Sequence, residues 1–277
     1  MHFTRNDSFK FLLYTTLFLL LFVGYNIASS PYFETTFDSA SITNQEMPVS
    51  EIIPVQPIKT PEQKIIRRNI PKSPLIITFN PDYITISNDI IDRLKEVIHS
   101  PYFESKVTPL NLLLDSEKQE PRGQVIGNKL ILSTSISNDS EQLKVFIHEL
   151  GHIVDIFYLK KGIFADPSDV FYTISWESFN TKKKGQKITD FVSGYALSNK
   201  YEDFAESFIF YIFHNEDFQK RAKQNDILQR KYNFFQSYVF EKNIFVGTSF
   251  EKNTLSNYNW DTTKIQIDTN KYLYYIK

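Results

Sequence analysis

Val145-Phe146-Ile147-His148-Glu149-Leu150-Gly151-His152-Ile153-Val154-Asp155 decides the reading of this chain. Residues four apart on an α-helix share a face, so His148 and His152 point their imidazoles at one place. The spacing His-Glu-x-x-His is that of a helix carrying two zinc ligands and a catalytic carboxylate. Glu149 sits beside His148, close enough to reach a water on such an ion without ligating it. Leu143, Phe146, Ile147, Leu150, Ile153, Val154 and Phe157 recur at i, i+3, i+4 and i+7, the stripe of an amphipathic helix. His148, His152 and Asp155 run along the edge of that stripe. Asn138, followed three residues later by Glu141, supplies an N-cap with a capping-box partner. The bland alternative is a helix whose histidines are merely satisfied at the rim of a core. With five histidines in the chain, the pattern arises by chance on the order of once in two hundred such sequences.

The 277 residues suffice for one substantial domain with appendages. A net charge of −1 argues against nucleic acid as a bulk electrostatic partner. The absence of cysteine excludes a disulfide framework and any thiolate metal site, so a zinc ion must be held by histidine and carboxylate.

Residues 11–28 form a mostly apolar run behind Arg5 and Lys10. As a helix it spans roughly 27 Å, close to the hydrocarbon core of a bilayer. The run is longer than the apolar part of most signal peptides, and Pro31 stands where cleavage would fall, which favours a retained signal anchor. The positive-inside rule then puts residues 1–10 in the cytoplasm and the remainder outside; cleavage near residue 30 would instead give a secreted protein. Residues 29–74 read as a tether, broken by Pro48, Pro54, Pro57, Pro61, Pro71 and Pro74.

A globular domain is expected over residues 75–240, with 241–277 an extension of unknown role that adds short strands. Leu75–Phe79 and Leu110–Leu114 read as strands, Ser87–His99 as an amphipathic helix, and Gln124–Leu132 as a hairpin turning at Gly127-Asn128. Strands and a helix, then the His-Glu-x-x-His helix, then helices alone: this α+β order matches a zincin, a small twisted sheet with a helical lower half.

A catalytic zinc keeps three protein ligands and one open position. Tyr158 occupies the place of the third histidine of the metzincin pattern, which excludes that branch. Downstream, Phe204, Ala205, Phe208, Ile209 and Ile212 make an inward stripe, with Glu202 and Glu206 one turn apart on a neighbouring face. Those acids suit a metal site and a solvated helix start equally well.

His148-Glu149-Leu150-Gly151-His152-x-x-Asp155, followed by Tyr195-Ala196-x-x-Asn199-x-x-Glu202-Asp203-Phe204-Ala205-Glu206, resembles the anthrax lethal factor-like zinc metallopeptidases, which include the Pro-Pro endopeptidases. The resemblance covers roughly residues 75–240 and carries no Pro-Pro specificity. It implies Glu202 as the third ligand of a single Zn2+ and Tyr195 as a hydrogen-bond donor to the oxyanion. It further implies Glu206 as an acceptor behind a ligand imidazole, with Asp155 in a similar orienting role.

The expected function is a zinc metalloendopeptidase acting on peptide or protein substrates, with Glu149 as general base. It would be held outside the cytoplasm by its N-terminal membrane helix. The alternative is a catalytically idle zincin-like binding or sensor domain; an intact Glu149 and Tyr195 argue against it. Lys182–Lys184 reads as a solvated loop and Trp176 as core or cleft wall.

Overall fold

The described residues all fall within one compact unit, Ile66–Lys277. The computed structural model describes residues 75–81, 87–160, 166–241, 243–253, 255 and 258–277. The expected anchor and tether lie outside these, and no helix among the described residues is long and apolar enough to cross a membrane.

The described part is α+β, a mixed sheet of four strands with eight α-helices. The strands are β1 (Ile76–Asn80), β2 (Asn111–Asp115), β3 (Gly123–Ile126) and β4 (Lys129–Ser133), in the spatial order β1-β2-β4-β3. β1, β2 and β4 run parallel, and β3 returns antiparallel to β4 as the outer edge. The two-residue turn at Gly127-Asn128 makes this hairpin, and Gly127 takes the positive φ of 59° that such a turn requires. Alternation buries Leu112 and Leu114 of β2 and Leu130 and Leu132 of β4 on one face. Parallel β1 and β2 need a crossover, supplied by α1 (Asn88–Ile98) and the short α2 (Glu104–Val107). Leu94, Val97 and Ile98 of α1 face the core, with Ile90 and Ile91 half-buried at its rim.

The sheet leads into α3 (Asp139–Ile153), the His-Glu-x-x-His helix, which starts at Asn138. The Asn138 side chain accepts from the Glu141 amide at 3.0 Å. The reciprocal half of the expected capping box is replaced, because the Glu141 carboxylate accepts from Arg122 and Lys264 instead. The apolar stripe holds through Val154, where the chain passes into a π-helix, Val154–Leu159. The wider turn rotates the side chains beyond it, and Phe157, expected inside, is 46% exposed.

Helices α4 (Pro167–Ser175), α5 (Lys200–Phe213), α6 (Asn215–Ala222) and α7 (Asp226–Phe234) form the lower half. Every residue of α5 from Asp203 to Phe213 is buried, so it is a central helix rather than an amphipathic one. It packs along α3 at two small residues. A Cβ on Gly151 would meet Phe208 Cδ1 at 3.0 Å and Ala205 Cα at 3.4 Å, so the glycine sets how closely the helices approach. Asp203 anchors the start of α5 through Lys231 Nζ and Trp176 Nε1, both at 2.9 Å, and all three side chains are buried.

The structure places no boundary at residue 240. Phe245, Phe250, Ile267, Tyr272, Leu273 and Ile276 join the same core as the helices. The expected short strands reduce to one isolated bridge, Glu251 with Ile267, and residues 269–275 are the helix α8 (Thr269–Tyr275). Asp268 caps α8 by accepting from Lys271 N, and burial of Tyr272, Leu273 and Ile276 follows helical rather than alternating spacing.

Candidate metal centre

The close crossing of α3 and α5 brings His148, His152 and Glu202 together, with one ligand atom from each lying within 4.8 Å of the others. Glu202 Oε2 stands 3.1 Å from His148 Nε2 and 3.6 Å from His152 Nε2. Glu202 falls in the first turn of α5 because Asn199 caps that helix, accepting from the amides of Tyr201 and Glu202. Two imidazoles and a carboxylate converging on one point form a donor set suited to a metal ion.

The other nitrogen of His148 is equally committed. Nδ1 stands 3.1 Å from Glu206 Oε1, which makes Nδ1 the protonated nitrogen and directs the Nε2 lone pair into the site. Without a metal, burial lowers the pKa of His148, but hydrogen bonds to Glu202 and Glu206 outweigh it and hold the imidazole well above its usual range. Burial likewise raises Glu202, and the His148 and His152 hydrogen bonds reverse this and drive it below the usual carboxylate range. Both shifts express one demand, a positive charge between the imidazoles and the carboxylate, which a bound cation would meet.

Glu206 itself is fully buried. Its Oε2 accepts from Ser193 Oγ at 2.6 Å, from Thr262 Oγ1 at 2.8 Å and from the Thr262 amide at 3.1 Å. The Thr262 carbonyl in turn accepts from Lys144 Nζ, one helical turn before His148. Lys144 also donates to His214 Nε2 at 2.8 Å, so His214 carries its proton on Nδ1 and gives it to Glu251 at 2.7 Å. Burial lowers Lys144 to about 7 and His214 to about 3.

Glu149 lies beside the ligand cluster against β3. A Cβ on Gly123 would fall 2.5 Å from the Glu149 carboxylate oxygen Oε1, so the bare backbone of the edge strand makes room for the acid. Burial raises the pKa of Glu149 against the lowering effect of the two histidines. Tyr195 enters on a 3-10 turn, Tyr195–Leu197, its ring centre 6.1 Å from that of His148. Burial, then Glu202 and Glu149, push its hydroxyl up to about 12, which keeps it a hydrogen-bond donor at neutral pH. These residues line a cleft of about 620 Å³ whose other walls include Arg122, Phe179, Tyr201 and Trp260.

Asp155 does not join the cluster. Its Oδ2 accepts from the Tyr172 hydroxyl, its backbone carbonyl accepts from Ser168 Oγ, and no hydrogen bond links it to either imidazole. The π-helix containing Asp155 turns it toward α4, which is why i+3 spacing from His152 fails to place it behind the ligand. Ser193, Thr262 and Lys144 are the residues that sequence reasoning missed. Ser193 lies two positions before Tyr195, whereas Thr262 belongs to an irregular segment with no periodic signal.

No family model matches the chain, and no curated protein matches it.

Proposed function

We propose that this protein is a zinc metalloendopeptidase with a zincin fold, of the anthrax lethal factor-like type. We further propose that residues 11–28 anchor it in a membrane with the catalytic domain outside the cytoplasm. The observation that carries the reading is the convergence of His148 Nε2, His152 Nε2 and Glu202 Oε2 beside a buried acid, Glu149, that stands outside the trio.

When bound, a zinc ion supplies Lewis acidity to a water molecule and to the scissile carbonyl. Glu149 accepts a proton from the attacking water on its carboxylate and passes it to the leaving amine. Its raised pKa suits both halves of that shuttle. The Tyr195 hydroxyl, protonated at neutral pH, donates a hydrogen bond to the developing oxyanion. Glu206 holds His148 in the tautomer and orientation that present Nε2. Peptide or protein is the expected substrate, because the donor set and the adjacent acid suit amide hydrolysis.

The test is cleavage of a peptide library, with and without chelator, by the full chain and by Glu149→Gln. The wild type should cleave and lose activity on chelation, and the variant should bind zinc with turnover reduced by at least about 10²-fold. Zinc-loaded Glu149→Gln that turns over at the wild-type rate sinks the assignment. A metal-binding wild type that cleaves nothing leaves the idle binding domain as the better description.

A further inference from the structure

Large apolar side chains gathered on one exposed surface mark a binding site. Among the described residues, four of the exposed ones, Ile156, Phe179, Tyr195 and Trp260, line the cleft that holds Glu149 and the metal-binding trio. Trp260 is the most exposed of the four, at 66%.

Its position is fixed from behind. The amides of Gly194 and Tyr195 donate to the carbonyls of Asn259 and Trp260 at 3.0 and 2.6 Å. The indole lies against the bare Cα of Gly194, where an added Cβ would meet Trp260 Cδ2 at 3.0 Å. Asp261, the next residue, pairs with Arg122 at 2.5 Å, tying the ridge to the head of the edge strand. The indole is therefore backed on one side and open on the other. It also borders a second depression of about 480 Å³, lined by Leu255, Lys264 and Gln266. Trp260 is the ridge between the metal cleft and a groove leading away from it.

Resting on the peptidase reading above, we propose that Trp260 determines specificity. Its open face takes a bulky apolar side chain of an extended peptide near the bond that is cut, and the peptide crosses the indole into the neighbouring groove. A backed indole offers a large apolar face and has little conformational freedom to lose on binding. An enclosed apolar pocket discriminates by about 10- to 200-fold per methylene, so an indole open on one side should separate a Phe or Leu side chain from Ala by about 10-fold.

The chain has two tryptophans, and Trp176 is 2% exposed, so changes in emission on binding report Trp260. Full-length zinc-loaded Glu149→Gln is titrated with blocked hexapeptides of Gly, Ser and Ala that carry one Phe, Leu, Ala or Glu, with its position scanned. The Phe and Leu peptides should shift the emission and bind at least about 10-fold tighter than the Ala peptide. Calorimetry on the same protein carrying Trp260→Ala should bring that ratio to within about twofold, and Trp260→Phe should retain most of it. Equal binding of all four peptides, no binding by any of them, or an undiminished preference in Trp260→Ala overturns the proposal. Wild-type cleavage of an unfolded protein is scored in parallel. Chelator-sensitive cleavage without apolar preference overturns the role of Trp260 and leaves the peptidase standing. Absence of cleavage, with Trp260-dependent apolar binding retained, overturns the peptidase reading and supports the binding ridge.

Discussion

The candidate metal centre is assembled from two regions of opposite character. Helices α3 and α5 contribute His148, Glu149, His152, Glu202 and Glu206, each at a position set by helical spacing. The segment 259–263 contributes only the start of a short 3-10 turn, Thr262–Lys264, yet it supplies Thr262 to Glu206, Asp261 to Arg122 and the Trp260 carbonyl to Tyr195. The helices carry the groups that would touch metal and substrate, and the irregular segment holds those groups in place. A functional site can thus depend equally on a motif and on a stretch that has no pattern of its own.

The comparison breaks most sharply at the two carboxylates of α5. Glu202→Ala removes a ligand atom and should weaken zinc binding by more than about 100-fold, beyond the range for a group that only orients a ligand. Glu206→Ala should weaken it less. Competition with a chromophoric chelator measures both, and the reverse ranking would show that the wrong acid was chosen.

Thr262→Val tests the irregular half. It deletes the hydroxyl bond at 2.8 Å and keeps the amide bond, leaving the buried Glu206 short of one donor. Loss of zinc affinity or turnover should fall below that of Glu206→Ala, at up to about 10-fold, with Thr262→Ser near wild type. If valine and serine behave alike, segment 259–263 is packing alone.

The smallest effect concerns Lys144, which joins the two regions. Burial lowers it to about 7 in the folded chain, against roughly 10.4 when unfolded. Between those values the unfolded state binds a proton that the folded state lacks, so stability rises with pH across that window and is flat below it. The slope from this group is at most about 1.4 kcal/mol per pH unit. Urea unfolding at pH 7.5 and 9 should show a smaller rise in Lys144→Met than in the wild type, and an unchanged rise refutes the buried, neutral lysine.

Legibility in the sequence divides the same way. The i, i+4 histidines, the Asn138 cap and the Gly127-Asn128 turn are local signals, and each is found in place. Phe157 and Asp155 depart from expectation because a helical period carried past Val154 meets a π-turn that changes the angle per residue. The residues after 240 look peripheral in sequence because Phe245, Phe250 and Tyr272 contact the core through long-range packing that no short window displays. Thr262 is illegible for the same reason, its partner Glu206 standing 56 positions away in the chain.

On β3, Gly123 has no side chain where the Glu149 carboxylate lies, so the bare backbone of the sheet's outer strand is itself the wall beside the acid. An alanine at position 123 would place its methyl where that carboxylate lies, so the strand accepts a side chain there only if the acid moves.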